Sequence, residues 1–399
     1  MRDVVLKKGK ERSLLRRHPW VYDSAVGSVD GKPEVGETVR VVDAGGRFLA
    51  LAAYAPASGI RARCWAFEPT EIDAAFIKAR VKNALLAREA LFKKTSAVRV
   101  IFGEADGLPG LIVDRYGDFY VAQFLSCGIE RFKPAVIEAL SQTPGIQGIY
   151  ERSDAAARTR EGLESRTGVL WGEEPPEKIE IVENDIAYGI DVRKGHKTGF
   201  YIDQRESRFF ARGVAEAFVA NTGRAPRALN CFCYTGGFSL ALIKGGATEV
   251  IGVDSSAEAL TNAQQNATRN AMQDKAVFVE DDVFAYLKRA KAEGEKFDII
   301  VLDPPKFASS HHQVERAARA YKEINLKALA LLNPGGTLLT FSCSGAIDVA
   351  LFQKIVAGAV IDSGRDVWMS ARLGAGSDHP LLMTCPESEY LKGLCLTVQ

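Results

Sequence analysis

The chain has 399 residues, of which 47% are apolar and 25% charged, with a formal net charge of +1. This is ordinary soluble-protein composition with room for about two or three domains. It excludes a collagenous or disordered chain and carries no global basic signal for nucleic acid. No stretch approaches the ~20 apolar residues of a membrane span and no leader pattern is visible, so no membrane partner is expected.

Charge is nonetheless concentrated at the start. Arg2, Lys7, Lys8, Lys10, Arg12, Arg16 and Arg17 stand against Asp3 and Glu11 in the first twenty residues, which reads either as a solvated face or as a phosphate-binding patch. "GETVRVVD" and "RFLALAAYA" then predict short strands joined by the turn "DAGGR", so residues 1–70 form a small β-barrel or half-open sheet. "EIDAAFIKARVKNALLAREALF" has helical spacing. Strands punctuated by "DGLPG" and "YGD" follow, then the helix "PAVIEALSQT" and the strand "IQGIYERSD". Residues 71–180 are thus expected to be a central α+β unit ending near "LWGEEPPEK".

From residue 181 to 399 strand and helix alternate: "ALNCFCY", "EVIGVDSS", "AVFVEDD", "FDIIVLDPP" and "PGGTLLTFSCS" are strands with helical segments between them. That pattern predicts an α/β fold with a parallel, Rossmann-like sheet, whose ligands bind beyond the carboxyl ends of the strands.

The strand ends are therefore the informative places. The first carries Asn230, Tyr234, Thr235 and Gly236. It is not the G-x-G-x-x-G of a dinucleotide site and no P-loop lysine follows, but Gly236 lets a ligand approach the backbone closely. Asp254, followed by Ser255, can accept both hydroxyls of a ribose. Asp281 or Asp282 can accept from an adenine amino group, with Val283 beside the ring. At the fourth end, two prolines stiffen the backbone around Asp303 and leave acceptors for a substrate amino group. A helix N-cap explains any one of these carboxylates. Four successive ends with the expected chemistry read as S-adenosylmethionine rather than NAD, because nothing demands a pyrophosphate site.

The seven cysteines are odd in number and irregularly spaced, which favours reduced thiols and a cytoplasmic setting. Neither they nor the five histidines show a metal-ligand pattern, so no metal is expected. Cys231 and Cys233 are expected to share one face of the first strand, and Cys385 and Cys395 to lie in C-terminal strands. Cys343, in "FSCSG", closes the strand after "DPPKF" and is the candidate nucleophile.

The stretches "GHKTGFYIDQRESR", "CFCYTGGFSLAL", "VDSSAEAL", "VLDPPKF" and "FSCSG" resemble the ribosomal RNA large subunit methyltransferase I family, class I enzymes that make 5-methylcytosine in large-subunit (23S) rRNA. "LKKGKERSLLRRHPWVYDSAV" resembles the start of that family's PUA domain, a small RNA-binding barrel. The resemblance runs over nearly the whole chain. It implies a PUA domain, a central domain and a catalytic domain, with S-adenosylmethionine as cofactor. The partner it implies is rRNA, naked or in early assembly, with a homodimer as one oligomeric option. Cytosine C5 is a poor nucleophile, and thiolate addition at C6 activates it, which is the role the resemblance gives Cys343. Asp303 is then suited to reading the cytosine amino group and N3, and Asp203, Gln204 and Arg205 to closing over the cofactor or the base. Lys306 reads either as a contact to a phosphate or the base, or as an exposed strand-end lysine. The resemblance implies that Lys7, Lys8, Lys10, Arg12, Arg16, Arg17 and Trp20 contact RNA. Some RNA cytosine methyltransferases carry a second cysteine after the fourth strand to release product; here that position reads "DPPKF".

Overall fold

A computed structural model describes residues 1–308 and 311–399. The chain divides into two compact units. One comprises residues 1–181, 190–202 and 378–388, the other residues 182–189, 203–377 and 389–399.

The first unit holds two sheets. β1 (Asp3–Leu6), β2 (Trp20–Tyr22), β3 (Val26–Val29), β4 (Thr38–Val42), β5 (Phe48–Tyr54) and β6 (Ile60–Ala66) form a six-stranded sheet in the order β2-β6-β5-β4-β1-β3. The "DAGGR" turn joins β4 to β5: Asp43 Oδ1 accepts from the amides of Gly45 at 2.9 Å and Arg47 at 3.0 Å. Gly46 adopts φ +83°, which glycine takes without strain. β7 (Ala97–Phe102), β8 (Leu111–Tyr116), β9 (Phe119–Phe124), β10 (Gly148–Ser153) and β11 (Arg166–Gly172) form a five-stranded sheet in the order β11-β10-β9-β8-β7. A helix at Ala74–Ala87, capped by Asp73, buries Ile77, Val81 and Ala84 in this sheet's core. β12 (Ile179–Glu183) and β13 (Ile186–Ile190) pair as a hairpin, of which residues 182–189 belong to the second unit.

The second unit is an α/β layer around one seven-stranded sheet. Its strands are β14 (Arg227–Cys231), β15 (Glu249–Asp254), β16 (Ala276–Glu280), β17 (Phe297–Leu302), β18 (Leu332–Ser342), β19 (Val367–Gly374) and β20 (Lys392–Val398). The order is β16-β15-β14-β17-β18-β20-β19. β16 to β18 are parallel, whereas β20 runs antiparallel to both β18 and β19. All six residues of β17 are buried, as a parallel strand covered on both faces requires. The chain runs outward from β14 to β16, then crosses back to β17. The order therefore reverses between β14 and β17, the switch point beyond whose carboxyl ends parallel α/β sheets bind ligands.

Two cysteine expectations are corrected. β14 ends at Cys231, and Cys233 lies in the following turn, where Phe232 (φ 60°) and Tyr234 (φ 48°) take left-handed conformations and redirect the chain. Cys385 lies in a loop, its amide bonded to the Leu382 carbonyl at 2.7 Å, and only Cys395 is on a strand.

Candidate active site

The end of β14 and the turn after it form one side of the candidate site. Asn230 is buried and donates its Nδ2 to Ser239 Oγ at 2.9 Å, while its Oδ1 has no partner among the described residues. Thr235 Oγ1 is likewise buried and unpartnered. Gly236 takes φ +84° and starts the helix Gly237–Lys244; a Cβ there would stand 3.2 Å from both Ala263 Cβ and the Phe278 ring.

Asp254, at the end of β15, ties two strand ends together. Its Oδ2 accepts from the Tyr234 amide at 2.9 Å and its Oδ1 from the Ser256 amide at 3.0 Å. Ser255 is exposed; Ser256 is the N-cap of the helix Ala257–Arg269. After β16, the two acidic neighbours separate in role. Asp281 pairs with Arg289 at 2.7 Å. Asp282 caps the helix Val283–Ala292 through Oδ1, which accepts from Ala285 N at 2.9 Å, and Val283 is buried.

Asp303 follows β17, its amide 3.4 Å from the Cys231 carbonyl. Pro304 is buried, while Pro305 and Lys306 are exposed. Phe307 packs its ring 4.7 Å from that of Tyr321 and joins Phe232 and Phe284 under the loop. Cys343 sits one residue beyond β18, its Sγ 3.8 Å from the Pro304 carbonyl. The flanking serines are buried and anchor backbone: Ser344 Oγ accepts from Ala308 N at 3.2 Å and lies 3.0 Å from the Tyr321 hydroxyl.

Of the seven cysteines, all described, Cys343 alone is partly exposed. Burial pushes the thiols of Cys64, Cys127 and Cys385 up to about 12 and those of Cys231, Cys233 and Cys395 upward as well. Those six are therefore held as thiols, which make poor nucleophiles.

Asp203, Gln204 and Arg205 are buried at the start of the helix Arg205–Thr222. Asp203 Oδ2 accepts from the Tyr390 hydroxyl at 2.6 Å, and neither side-chain amide atom of Gln204 has a partner among the described residues. Lys392 was not singled out from the sequence. It is a lysine within the buried strand β20, and its Nζ donates to the carbonyls of Ser344 and Tyr390, each at 2.8 Å. A charged residue inside "LKGLCLTV" is the signal that could have found it.

The RNA candidates at the N-terminus belong to the other unit. Lys7, Lys8, Lys10, Arg12, Arg16 and Arg17 are exposed, but Arg17 pairs with Glu68. Trp20 is half-buried, with its Nε1 donating to Glu104 at 2.7 Å and Arg63 over its ring. Among the described residues His18, Cys385 and Glu387 lie close enough together to hold a metal ion, but His18 and Glu387 are already bonded at 3.2 Å.

Buried polar atoms without partners are costly unless a ligand answers them. The free atoms of Asn230, Thr235 and Gln204 and the carboxylates at the ends of β15 and β16 fit the hydroxyls, amines and carboxylate of S-adenosylmethionine, whereas Gly236 is required by its φ of +84° and by the packing of Ala263 and Phe278. Residues 137–360 match the profile of S-adenosylmethionine-dependent methyltransferases, and residues 4–67 that of a PUA-like domain. The fold is similar over its full length to a structure described as a SAM-dependent methyltransferase from Streptococcus mutans (TM-score 0.84, 22% identity, 100% of both chains). It is also similar to SMU.776, solved in complex with SAH (TM-score 0.85, 22% identity, 100% of both chains). Ribosomal RNA large subunit methyltransferase I from Cronobacter sakazakii and that from Escherichia coli O157:H7 are each 48% identical to it over 99% of both lengths. With its α/β catalytic sheet and PUA-like start, this S-adenosylmethionine-dependent methyltransferase belongs to the ribosomal RNA large subunit methyltransferase I family.

Proposed function

We propose that the enzyme methylates C5 of a cytosine in large-subunit rRNA through a covalent bond between Cys343 and C6. The relatives' names supply the RNA. The observation that carries the chemistry is Cys343, the partly exposed cysteine among seven, at a strand end beside the Asp303-Pro304-Pro305 loop.

Asn230, Thr235, Gly236, Asp254 and Asp282 hold the cofactor, with Tyr234, Ser255, Asp281 and Val283 around it and Asp203, Gln204 and Arg205 closing over it or the base. When bound, S-adenosylmethionine supplies an electrophilic methyl group. Cys343 Sγ adds to C6, and the displaced ring electrons make C5 nucleophilic. C5 would take the methyl group as its bond to the cofactor sulfur breaks, leaving S-adenosylhomocysteine. Its proton then departs to a base, the C6–S bond breaks, and the thiolate returns. Asp303 accepts from the exocyclic amino group and holds the ring in the stiff loop, with Lys306 near a phosphate or the base. The cytosine must leave its stack to reach this pocket, which favours naked or early-assembly RNA over a finished particle. Residues 1–70 bind that RNA through the basic patch, residues 71–180 form a central domain and residues 181–399 the catalytic one.

The test is incubation of unmodified large-subunit rRNA with labelled S-adenosylmethionine, using wild type and Cys343→Ala, followed by nucleoside analysis. Label in 5-methylcytosine that is lost in the variant is expected. Label in a methylpurine that survives the substitution would assign the enzyme to nitrogen chemistry. No label at all would make the chain an RNA-binding protein.

A further inference from the structure

Lys392 lies on β20 directly opposite Ser342, the last residue of β18. Only 3% of its surface is exposed. Two of its three N–H groups are spent on the carbonyls of Ser344 and Tyr390. Neutral carbonyls satisfy hydrogen bonds, but a buried ammonium also asks for an anion. The residue between its strand partner Ser342 and its hydrogen-bond partner Ser344 is Cys343.

The charged and titratable groups facing Lys392 come from four elements. They are Cys343 after β18, Glu389 ahead of β20, Lys306 in the loop after β17, and Asp348 ahead of the helix Val349–Ser363. Tyr321, from the helix Val314–Leu331, faces Cys343 in turn. Glu389 and Asp348 are exposed, so water answers their charge, and Lys306 repels. Burial holds the Lys392 ammonium down to about 8, still charged at neutral pH, and a negative charge on the Cys343 sulfur would favour it. Such coupling is reciprocal: an anion that favours the ammonium is favoured by it equally.

We propose that Lys392 is the positioning residue for Cys343. Its ammonium pins the Ser342–Ser344 segment through the Ser344 carbonyl and supplies the cation that keeps the Cys343 sulfur a thiolate. The thiol proton goes to solvent, leaving a thiolate–ammonium pair poised for addition. This rests on the reading of Cys343 as nucleophile.

The test reads the thiol itself. Full-length wild type, Lys392→Gln and Lys392→Arg are alkylated with iodoacetamide from about pH 5 to about pH 10, without RNA, and the rate at Cys343 is followed by peptide mass spectrometry. The midpoint should rise by about one pH unit in K392Q, whose amide keeps hydrogen-bond donors but not the charge, and return in K392R. At pH 7 the smaller thiolate fraction should lower methyl transfer by K392Q about tenfold. The six buried cysteines report folding. If K392Q exposes them, Lys392→Met takes its place. An unmoved or lowered midpoint in the folded neutral variant overturns the proposal, and so does an equal rise in K392Q and K392R, which would make the role one of packing. Cys343→Ala that still forms 5-methylcytosine overturns the nucleophile reading instead, so the two failures are distinct.

Discussion

Cys343 Sγ lies 3.8 Å from the carbonyl oxygen of Pro304, so the loops after β17 and β18 meet at the sulfur. The two prolines fix φ on one side of this meeting point, and Ser344, bonded to Ala308 and Tyr321, fixes the other. A base held by the Asp303 loop would thus be presented to a nucleophile whose position is already set. RNA carrying 5-fluorocytosine at the target should trap this arrangement, because fluorine cannot leave C5 as a proton does. A complex stable to denaturing electrophoresis is expected with wild type and absent with Cys343→Ala, whose methyl transfer should fall by at least ~10³-fold. A wild-type enzyme that turns over on the fluorinated RNA without trapping would remove the covalent step.

Asp281 and Asp282 can now be told apart. Asp281 is engaged by Arg289, whereas Asp282 spends one oxygen on its helix cap, and its other oxygen is the one proposed to meet the cofactor. Asparagine caps as well as aspartate, so Asp282→Asn should leave the melting temperature unchanged while weakening S-adenosylmethionine binding about tenfold. Asp281→Asn should leave affinity within about twofold. Calorimetric titration of both variants checks this, and equal losses would place the adenine elsewhere.

Glu183 and Arg208 form a bidentate pair at 2.7 and 2.8 Å, with side chains 1% and 4% exposed. The pair ties the end of β12 to the helix that begins with Arg205. Burial works against the Arg208 charge, but Glu183 more than offsets it and raises its pKa. Glu183→Gln takes the anion away from that buried guanidinium, and should cost about 3–5 kcal/mol. Urea denaturation of wild type and variant gives the difference; a loss below about 1 kcal/mol would mean water reaches Arg208.

Lys392 makes stability depend on alkaline pH. Its pKa is lowered to about 8 in the folded protein, mainly by burial, from 10.5. Below about 8 it is charged in both states and the full cost of burying the ammonium is present. Between 8 and 10.5 the unfolded chain binds the extra proton, so stability rises with pH. Relative to Lys392→Gln, wild type should therefore gain at most about 3 kcal/mol across that window. Urea midpoints at both ends measure it. A difference that shrinks with rising pH would reverse the sign.

The parallel sheet was legible because buried strands read as apolar runs and the helices between them alternate with them. Cys343 was legible as a candidate because the chemistry proposed for it asks for a thiol at a strand end, and its place one residue beyond β18 agrees with that. What escaped was set by backbone geometry and long-range pairing. Nothing in "CFCYTGG" announces that Phe232 and Tyr234 turn left-handed, so Cys233 seemed to continue the strand. Lys392 escaped because its neighbour in space, Ser342, is fifty positions away and meets it only through antiparallel register. Which of the adjacent Asp281 and Asp282 caps the next helix is equally silent in sequence, since both offer the same carboxylate.

The N-terminal patch makes a prediction about salt. Lys8, Lys10, Arg12 and Arg16 are exposed, and Lys7 reaches the Ser24 carbonyl at 3.0 Å without meeting a carboxylate among the described residues. Arg17 differs, because Glu68 already neutralises it. Each cation that meets a phosphate of single-stranded RNA contributes about −0.7 to the slope of log affinity against log salt. Replacing Lys7, Lys8 and Lys10 together by alanine should flatten that slope by about 2, and Arg17→Ala should change it by less than about 0.3. Filter binding of an unstructured rRNA fragment at several salt concentrations measures both. A slope unchanged in the triple variant would reduce these lysines to a solvated face.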